Sequence, residues 1–400
     1  MLKNPTTATF TAAVRLPARL YQISQVSSLK VHWRRDPLLD AAILADRRPL
    51  LCSKVINEVL NSPTQSLPLH YLEKRRARLK LKLHAKTFIS QNPNLFEVYM
   101  DRIRPGSELV RFVRPGERLM KFVGFEKWVC DQNEKLIVGK LCKMLRMAKG
   151  RVIRIEKLDN VRRVFGFPRD LVRRVEERYG DFVRVCGGGE FLELVGWEEE
   201  WGKSVIMARA EEEERATGIR VRPAFEWKLP RGFYIRKEMR EWVRDWIEMP
   251  YISPYEDAEG LDQASREMEK RTVGVIHELL SLSLLKRIPV PLLGKFGEEY
   301  RLSNAFSSVF TRHSGIFYMS LKGGIKTAIL REAYRDGVLV DRDPLLVIKD
   351  EFLKLLEEGW KERAEELRLR REAGKKDAEF MANANDSLID EEPMDEEILA

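Results

Sequence analysis

No aspartate or glutamate occurs in the first 35 of the 400 residues, although Lys3, Arg15, Arg19, Lys30, Arg34 and Arg35 do. Acid-free, Arg-bearing and rich in Thr, Ser and Ala, residues 1–29 have the composition of an organelle-targeting leader. Arg15 and Arg19 with Leu16, Leu20 and Ile23 suit a basic amphipathic helix, which favours the mitochondrial matrix over the chloroplast stroma. Cysteine is scarce too. Cys52, Cys130, Cys142 and Cys186 lie far apart, without the close spacing of a zinc or redox motif. The histidines His32, His70, His84, His277 and His313 complete no metal set. Buried free thiols in a reduced compartment are the expectation. No apolar run reaches the roughly 18 residues of a membrane span, and the stretch Val273–Leu285 is interrupted by His277 and Glu278. No membrane insertion is expected.

Catalytic signatures are also missing. There is no Gly-x-Ser-x-Gly elbow, no His-Glu-x-x-His and no zinc-deaminase pattern. Gly323-Gly324-Ile325-Lys326-Thr327 lacks the upstream glycine of a phosphate loop. Glu198–Glu200 and Glu211–Glu214 are solvated charge runs. The expectation is a protein that is no enzyme and uses no cofactor.

What is present is a large and basic chain. Hydrophobic residues make up 44%, with 18 Phe and 8 Trp, enough for a sizeable core. With 71 Lys plus Arg against 62 Asp plus Glu, the net charge of +9 draws a polyanion by field alone. The charge is uneven. Residues 71–90 hold seven basic residues and one acid, and Lys140–Arg184 hold 14 and six. In that second segment Lys140–Met147 predicts an amphipathic helix ended by Gly150. Val152, Ile153 and Ile155 then alternate with basic residues in a strand or helix start. In the helix 169–179, Leu171, Val172 and Val175 face inward and leave Arg173, Arg174 and Arg178 outside. Lys143, Arg146, Arg151, Arg154, Lys157, Arg162, Arg163, Arg173 and Arg174 are the candidate contacts to a phosphate-bearing polyanion, through phosphate neutralisation or guanidinium stacking.

A repeated unit runs along the chain: a helix, a short aromatic or apolar strand, a glycine turn and a second apolar strand. Its copies are Phe88–Tyr99 with Leu109–Val113, Leu171–Val185 with Phe191–Val195, and Asn304–Ser320 with Thr327–Leu330. Ala328–Tyr334 is also helix-compatible. The element order is winged-helix-like. The expected class is α+β, a mainly helical multi-module body with short β-hairpins. Trp197, Trp201, Trp227, Trp242 and Trp246 are core anchors or base-stacking platforms. Phe225, Trp227, Phe233 and Tyr234 suggest an aromatic strand pair. A charged helix extension is expected over 357–373 and an acidic, disordered tail over 374–400.

An ordered series of segments carries a family resemblance over Lys30–Leu356. It opens with Lys30-Val31-His32-Trp33-Arg34-Arg35-Asp36-Pro37-Leu38-Leu39-Asp40. It continues through Ser66-Leu67-Pro68, Pro93-Asn94-Leu95-Phe96, Phe165-Gly166-Phe167-Pro168 and Ser253-Pro254-Tyr255. Phe310-Thr311-Arg312-His313-Ser314-Gly315-Ile316-Phe317-Tyr318-Met319-Ser320 and Leu345-Leu346-Val347-Ile348-Lys349 follow. The chain thereby resembles the plant organelle RNA recognition domain family. The resemblance implies a non-catalytic protein that binds organellar group II intron RNA and promotes its folding and splicing, alongside other splicing factors in a ribonucleoprotein complex. It implies an RNA recognition domain over residues 30–356 and assigns no base-reading residue. The Glu-rich helices and acidic tail leave a mitochondrial ribosome-associated scaffold as the alternative, and a DNA-binding winged-helix regulator as a third reading.

Overall fold

The computed structural model describes residues 35–229, 237–303 and 306–387. The leader, Trp33, and the pair Phe233 and Tyr234 lie outside the described residues. The architecture is α+β, with helices predominating. The chain divides into two compact units. One comprises residues 139–165 and 170–341 with the segment ending at Asp40, and the other comprises 41–138, 166–169 and the C-terminal part from Arg342.

Three antiparallel sheets share one plan. β1 (Leu67–Pro68), β2 (Phe96–Arg102) and β3 (Leu109–Pro115) form the first, in the order β1-β3-β2. β4 (Val152–Arg154), β5 (Val183–Cys186) and β6 (Phe191–Leu194) form the second, in the order β4-β6-β5. β7 (Arg287–Pro289), β8 (Phe317–Ser320) and β9 (Thr327–Leu330) form the third, in the order β7-β9-β8. A long helix precedes each sheet: Arg47–Leu60, Glu134–Met147 and Arg266–Leu282. Between the first and second strands of each sheet the chain makes a helix-turn-helix, whose first helix is broken at Arg75 in the first module into Leu69–Lys74 and Arg76–Leu79. With that break, long helix, strand, helix-turn-helix and hairpin is the winged-helix order, here three times.

The copies agree residue by residue. The central strand of each sheet holds one buried residue paired on both sides: Val113 with Leu67 and Val98, Leu192 with Ile153 and Val185, Ala328 with Ile288 and Met319. All three are fully buried. Eight residues before the first-strand member of each trio, the long helix buries Val59, Leu145 or Leu280. Two residues before it the backbone takes a left-handed turn, at Gln65, Arg151 and Lys286. Thirteen residues after it a second left-handed residue breaks the two helices, at Lys80, Gly166 and Arg301. Such a conformation costs a non-glycine residue about 1–2 kcal/mol. It persists because the next residue, Leu81, Phe167 or Leu302, must turn into the core. The N–H groups of Leu81 and Leu302 bond back to the carbonyls of Arg76 and Gly297 at 3.1 and 2.8 Å, closing the helix end.

In the unit containing the first module, Cys52, Val55, Val59, Leu72, Phe88, Leu95 and Val113 form one core with Phe352 and Leu356 of the C-terminal helix Leu346–Ser387. Gly359 of that helix leaves room for Asn94, whose amide donates to the Leu355 carbonyl. The helix runs on through Gly374, beyond the start of the tail expected to be disordered. Before Gly374 its surface carries intrahelical pairs such as Arg370–Glu366 at 2.6 Å.

In the other unit, Trp201, Trp242 and Trp246 are buried and act as core anchors. Residues 221–229 form no strand, and Phe225 instead packs on Trp246 at 5.4 Å. Thr327–Leu330 is a strand, not a helix start, because all four residues are buried in the third sheet.

Candidate nucleic-acid interface

The nine basic candidates fall in the second module, where the structure separates them. Arg151 and Arg154 are exposed at the two ends of β4. Neither has an ion pair among the described residues, and Arg154 lies over the Phe191 ring at 5.2 Å, its cross-strand neighbour. Arg162 is half-buried and Arg163 exposed on the helix Ile155–Phe165. Arg151, Arg154 and Arg162 present guanidinium groups from adjoining elements of one module, and Arg163 already has an interaction within the protein.

The other five are engaged internally. Lys143 donates to the Lys203 carbonyl at 3.1 Å and stands 3.8 Å from Glu278. Arg146 lies over Trp197 at 5.4 Å, and burial lowers its pKa. Lys157 pairs with Glu299 at 2.5 Å. Arg173 pairs with Glu177 at 2.7 Å. Arg174 faces inward, contrary to the helical pattern's expectation, and is buried against Asp170 at 2.8 Å. The reason is its place one residue before Val175 on a two-turn helix, where the apolar stripe is too narrow to cover the module. The Arg174 stem fills the gap while Asp170 holds the head.

Buried polar groups in the same unit resemble catalytic clusters and are structural. Glu332 accepts from Arg209 at 2.6 Å and from His277 at 2.9 Å. Burial raises its pKa, but these two bonds outweigh it and hold the carboxyl at about 2. Glu278 accepts from the Tyr255 hydroxyl at 2.7 Å and from the Val205 N–H at 2.9 Å, the latter at a helix start. His313 is enclosed by Trp246, Trp242 and Trp227 at 4.3, 5.4 and 5.8 Å, and burial lowers its pKa although Glu269 sits 3.0 Å away. Lys270 donates to the carbonyls of Trp246 and Ile247, closing the end of the helix Lys237–Glu248. Among the described residues no group of three or more His, Cys, Asp or Glu could hold a metal ion. Among them, too, no helix is long and apolar enough to cross a membrane.

The opening segment of the family resemblance has a structural part. Asp36 and Asp40 bind the third module: the Asp36 N–H donates to the Tyr318 hydroxyl at 3.1 Å, and Asp40 accepts from Tyr318 and Ser320 at 3.0 and 2.6 Å. The motif therefore anchors residues 36–40 to β8. Periodicity alone could not have found this, because the partners are 278 and 280 residues apart.

Comparison with known proteins agrees with this arrangement. Residues 34–361 match the plant organelle RNA recognition domain. The chain is 31% identical over 334 residues to Protein WHAT'S THIS FACTOR 1 homolog, chloroplastic, of Arabidopsis thaliana, covering 81% of this chain and 62% of that protein. It is 32% identical to Protein WHAT'S THIS FACTOR 1, chloroplastic, of Zea mays, covering 83% and 68%. It is 25% identical to Protein WHAT'S THIS FACTOR 9, mitochondrial, of Arabidopsis thaliana, covering 81% and 84%. This chain thus spans less than two thirds of the length of the first of these relatives. No solved structure matches it. With the family's domain covering most of its length, and its opening motif tied into the third module, the chain belongs to the plant organelle RNA recognition domain family.

Proposed function

We propose that this protein is a non-catalytic RNA-binding protein of an organelle, which binds group II intron RNA and promotes its folding and splicing within a ribonucleoprotein complex. The observation that carries the reading is the family match across residues 34–361. Arg151 and Arg154, exposed beside β4 and free of ion pairs among the described residues, supply cationic groups for phosphate oxygens. Arg162 extends that set, Arg163 adds an exposed guanidinium that is already engaged within the protein, and Lys143, Arg146, Lys157, Arg173 and Arg174 order the module that presents it. The intron performs its own transesterification. The protein contributes by binding one RNA conformation more tightly than others, which shifts the ensemble toward it.

The names of the relatives include both chloroplastic and mitochondrial proteins. The acid-free, Arg-bearing leader supports import, and we assign it to the mitochondrial matrix. A full-length fluorescent fusion tests this, and chloroplast fluorescence rejects it.

The functional test is immunoprecipitation from isolated organelles followed by sequencing of the bound RNA. Discrete intron segments are expected. Enrichment of ribosomal RNA without introns would replace the proposal with the ribosome-associated scaffold.

A further inference from the structure

The three modules are copies of one plan, so their differences at matching positions are informative. In the second module the third helix, Leu171–Arg178, is neutralised by the pairs Arg173–Glu177 and Arg174–Asp170. In the third, Arg312 is paired with Glu269 at 3.3 Å. At the left-handed turn between helices, Arg301 of the third module pairs with Glu259 at 2.8 Å, and the second module has Gly166 there.

The first module differs at each of these places. Its left-handed residue is Lys80, exposed, with Lys82 and Lys86 exposed on the turn and third helix that follow. None of these three ammonium groups has a hydrogen bond or ion pair among the described residues. The neighbouring acids are already engaged: Glu58 with Arg75 and Arg78, Glu73 with Arg76 and His84.

The wing differs as well. β2 and β3 are seven residues each, whereas the hairpin strands of the other modules are four. The extra length projects a ribbon whose outer part has Met100, Ile103 and Leu109 all more than half exposed. Apolar side chains on an exposed ribbon need a partner surface. Met100 pairs across the ribbon with Arg111, and Leu109 with Arg102. These arginines, with Arg104 in the turn, have no ion pair among the described residues. The local acids are Asp101, which accepts the Arg102 N–H at 2.8 Å, and Glu108. Alternating guanidinium and apolar groups on one ribbon face suit a polyanion whose uncharged faces are also accessible. That describes RNA with unpaired bases, and it describes a regular duplex poorly, since there the base faces are stacked away.

We infer that the first module is the principal RNA grip: Lys80, Lys82 and Lys86 hold the phosphate backbone, and the long wing lies along unpaired bases through Met100 and Leu109. The inference rests on the proposed RNA-binding function and assigns it a place and a substrate class.

The test uses the full chain, a single-stranded RNA oligonucleotide and a perfectly paired RNA duplex. Lys80→Gln/Lys82→Gln/Lys86→Gln is expected to flatten the dependence of log affinity on log salt by about 2 for the single strand. Wild-type affinity then falls roughly twentyfold more than the variant's between 50 and 200 mM salt. The triple Lys→Arg variant should restore the wild-type slope. Met100→Ser/Leu109→Ser should leave the slope unchanged and reduce the preference for single strand over duplex. All five side chains are exposed, so melting temperatures should match wild type. Salt-dependent binding by wild type with an unchanged slope in the triple Lys→Gln variant, or with an unchanged preference in the wing variant, overturns this inference alone. Wild-type binding no tighter to RNA than to an unrelated polyanion overturns the RNA-binding reading, and this inference with it.

Discussion

The Tyr318 hydroxyl donates to the Asp40 carboxylate at 3.0 Å, joining residues 278 positions apart. Ser320 donates to the same oxygen at 2.6 Å, and Arg331 approaches the adjacent Asp36 at 3.4 Å. The turn at Asp36–Asp40 is thereby fastened to a strand of the last module. Burial, with the neighbouring carboxylates, pushes the Tyr318 phenol up to about 12, so the bond persists throughout the physiological range.

Tyr318→Phe removes a donor from a buried carboxylate and should destabilise the protein by about 1–3 kcal/mol. A double-mutant cycle with Asp40→Asn, read by urea denaturation, should show a coupling above about 0.5 kcal/mol. A coupling near zero would mean that the two side chains do not act together.

Gly315→Ala should be strongly destabilising. A Cβ there would meet the Trp227 indole, while the Gly315 carbonyl already accepts from the Lys228 N–H at 2.9 Å. Because backbone and ring are both held, the chain cannot relax cheaply. A loss of more than about 2 kcal/mol is expected in denaturant unfolding. Gly374→Ala, in the exposed part of the C-terminal helix, should instead add up to about 1 kcal/mol of helix stability, read by circular dichroism.

Glu332 produces an acid limb in the stability profile. Its folded pKa of about 2 is below the unfolded value of 4.5, so its contribution is complete above pH 4.5 and is lost as pH falls toward 2. Glu332→Gln should reduce the stability difference between pH 6 and pH 3, measured by urea midpoints. An identical acid limb in the variant would refute this assignment.

Thiol reactivity should single out one cysteine. None of the four is in a disulfide; Cys52, Cys130 and Cys142 are buried and Cys186 is half-exposed. Burial pushes the thiols of Cys52 and Cys142 up to about 11 and about 12. Under native conditions at pH 8, a thiol reagent followed by mass spectrometry should label Cys186 first, because thiolate fraction and access set the rate.

Within the second module, Arg151→Gln/Arg154→Gln should lower RNA affinity and its salt slope without changing the melting temperature. Arg174→Gln should do the reverse, losing about 1–2 kcal/mol through the packing of its buried side chain, since Asp170 is itself exposed to water. Equal effects from the two variants on both measurements would refute the distinction between surface and buried arginine.

Much of this architecture was legible in local patterns. The hairpins at Asp181–Val195 and Gly315–Leu330 followed from alternating apolar residues around glycine pairs. Positive charge over 71–90 and 140–184 marked surfaces suited to polyanions. The first strands of the first and third modules were hidden, because the short strands Leu67–Pro68 and Arg287–Pro289 have no periodicity of their own. They are strands only because Val113 and Ile329 stand opposite. Equally hidden was the commitment of each arginine. Arg173 and Arg174 are adjacent and chemically identical, yet one is exposed beside Glu177 and the other buried beside Asp170.

Composition and spacing determined that the chain is basic and that it repeats a helix-and-hairpin unit, and the ordered series of motif residues carried the family resemblance. These are properties of neighbours in sequence, where charge density and side-chain period are set by covalent order. The tertiary structure decided the rest: a common pairing register in all three modules, the closure of Asp40 onto Tyr318, and which cations remain unneutralised. Each depends on groups tens or hundreds of residues apart meeting at hydrogen-bond distance, and a local pattern does not encode the partner.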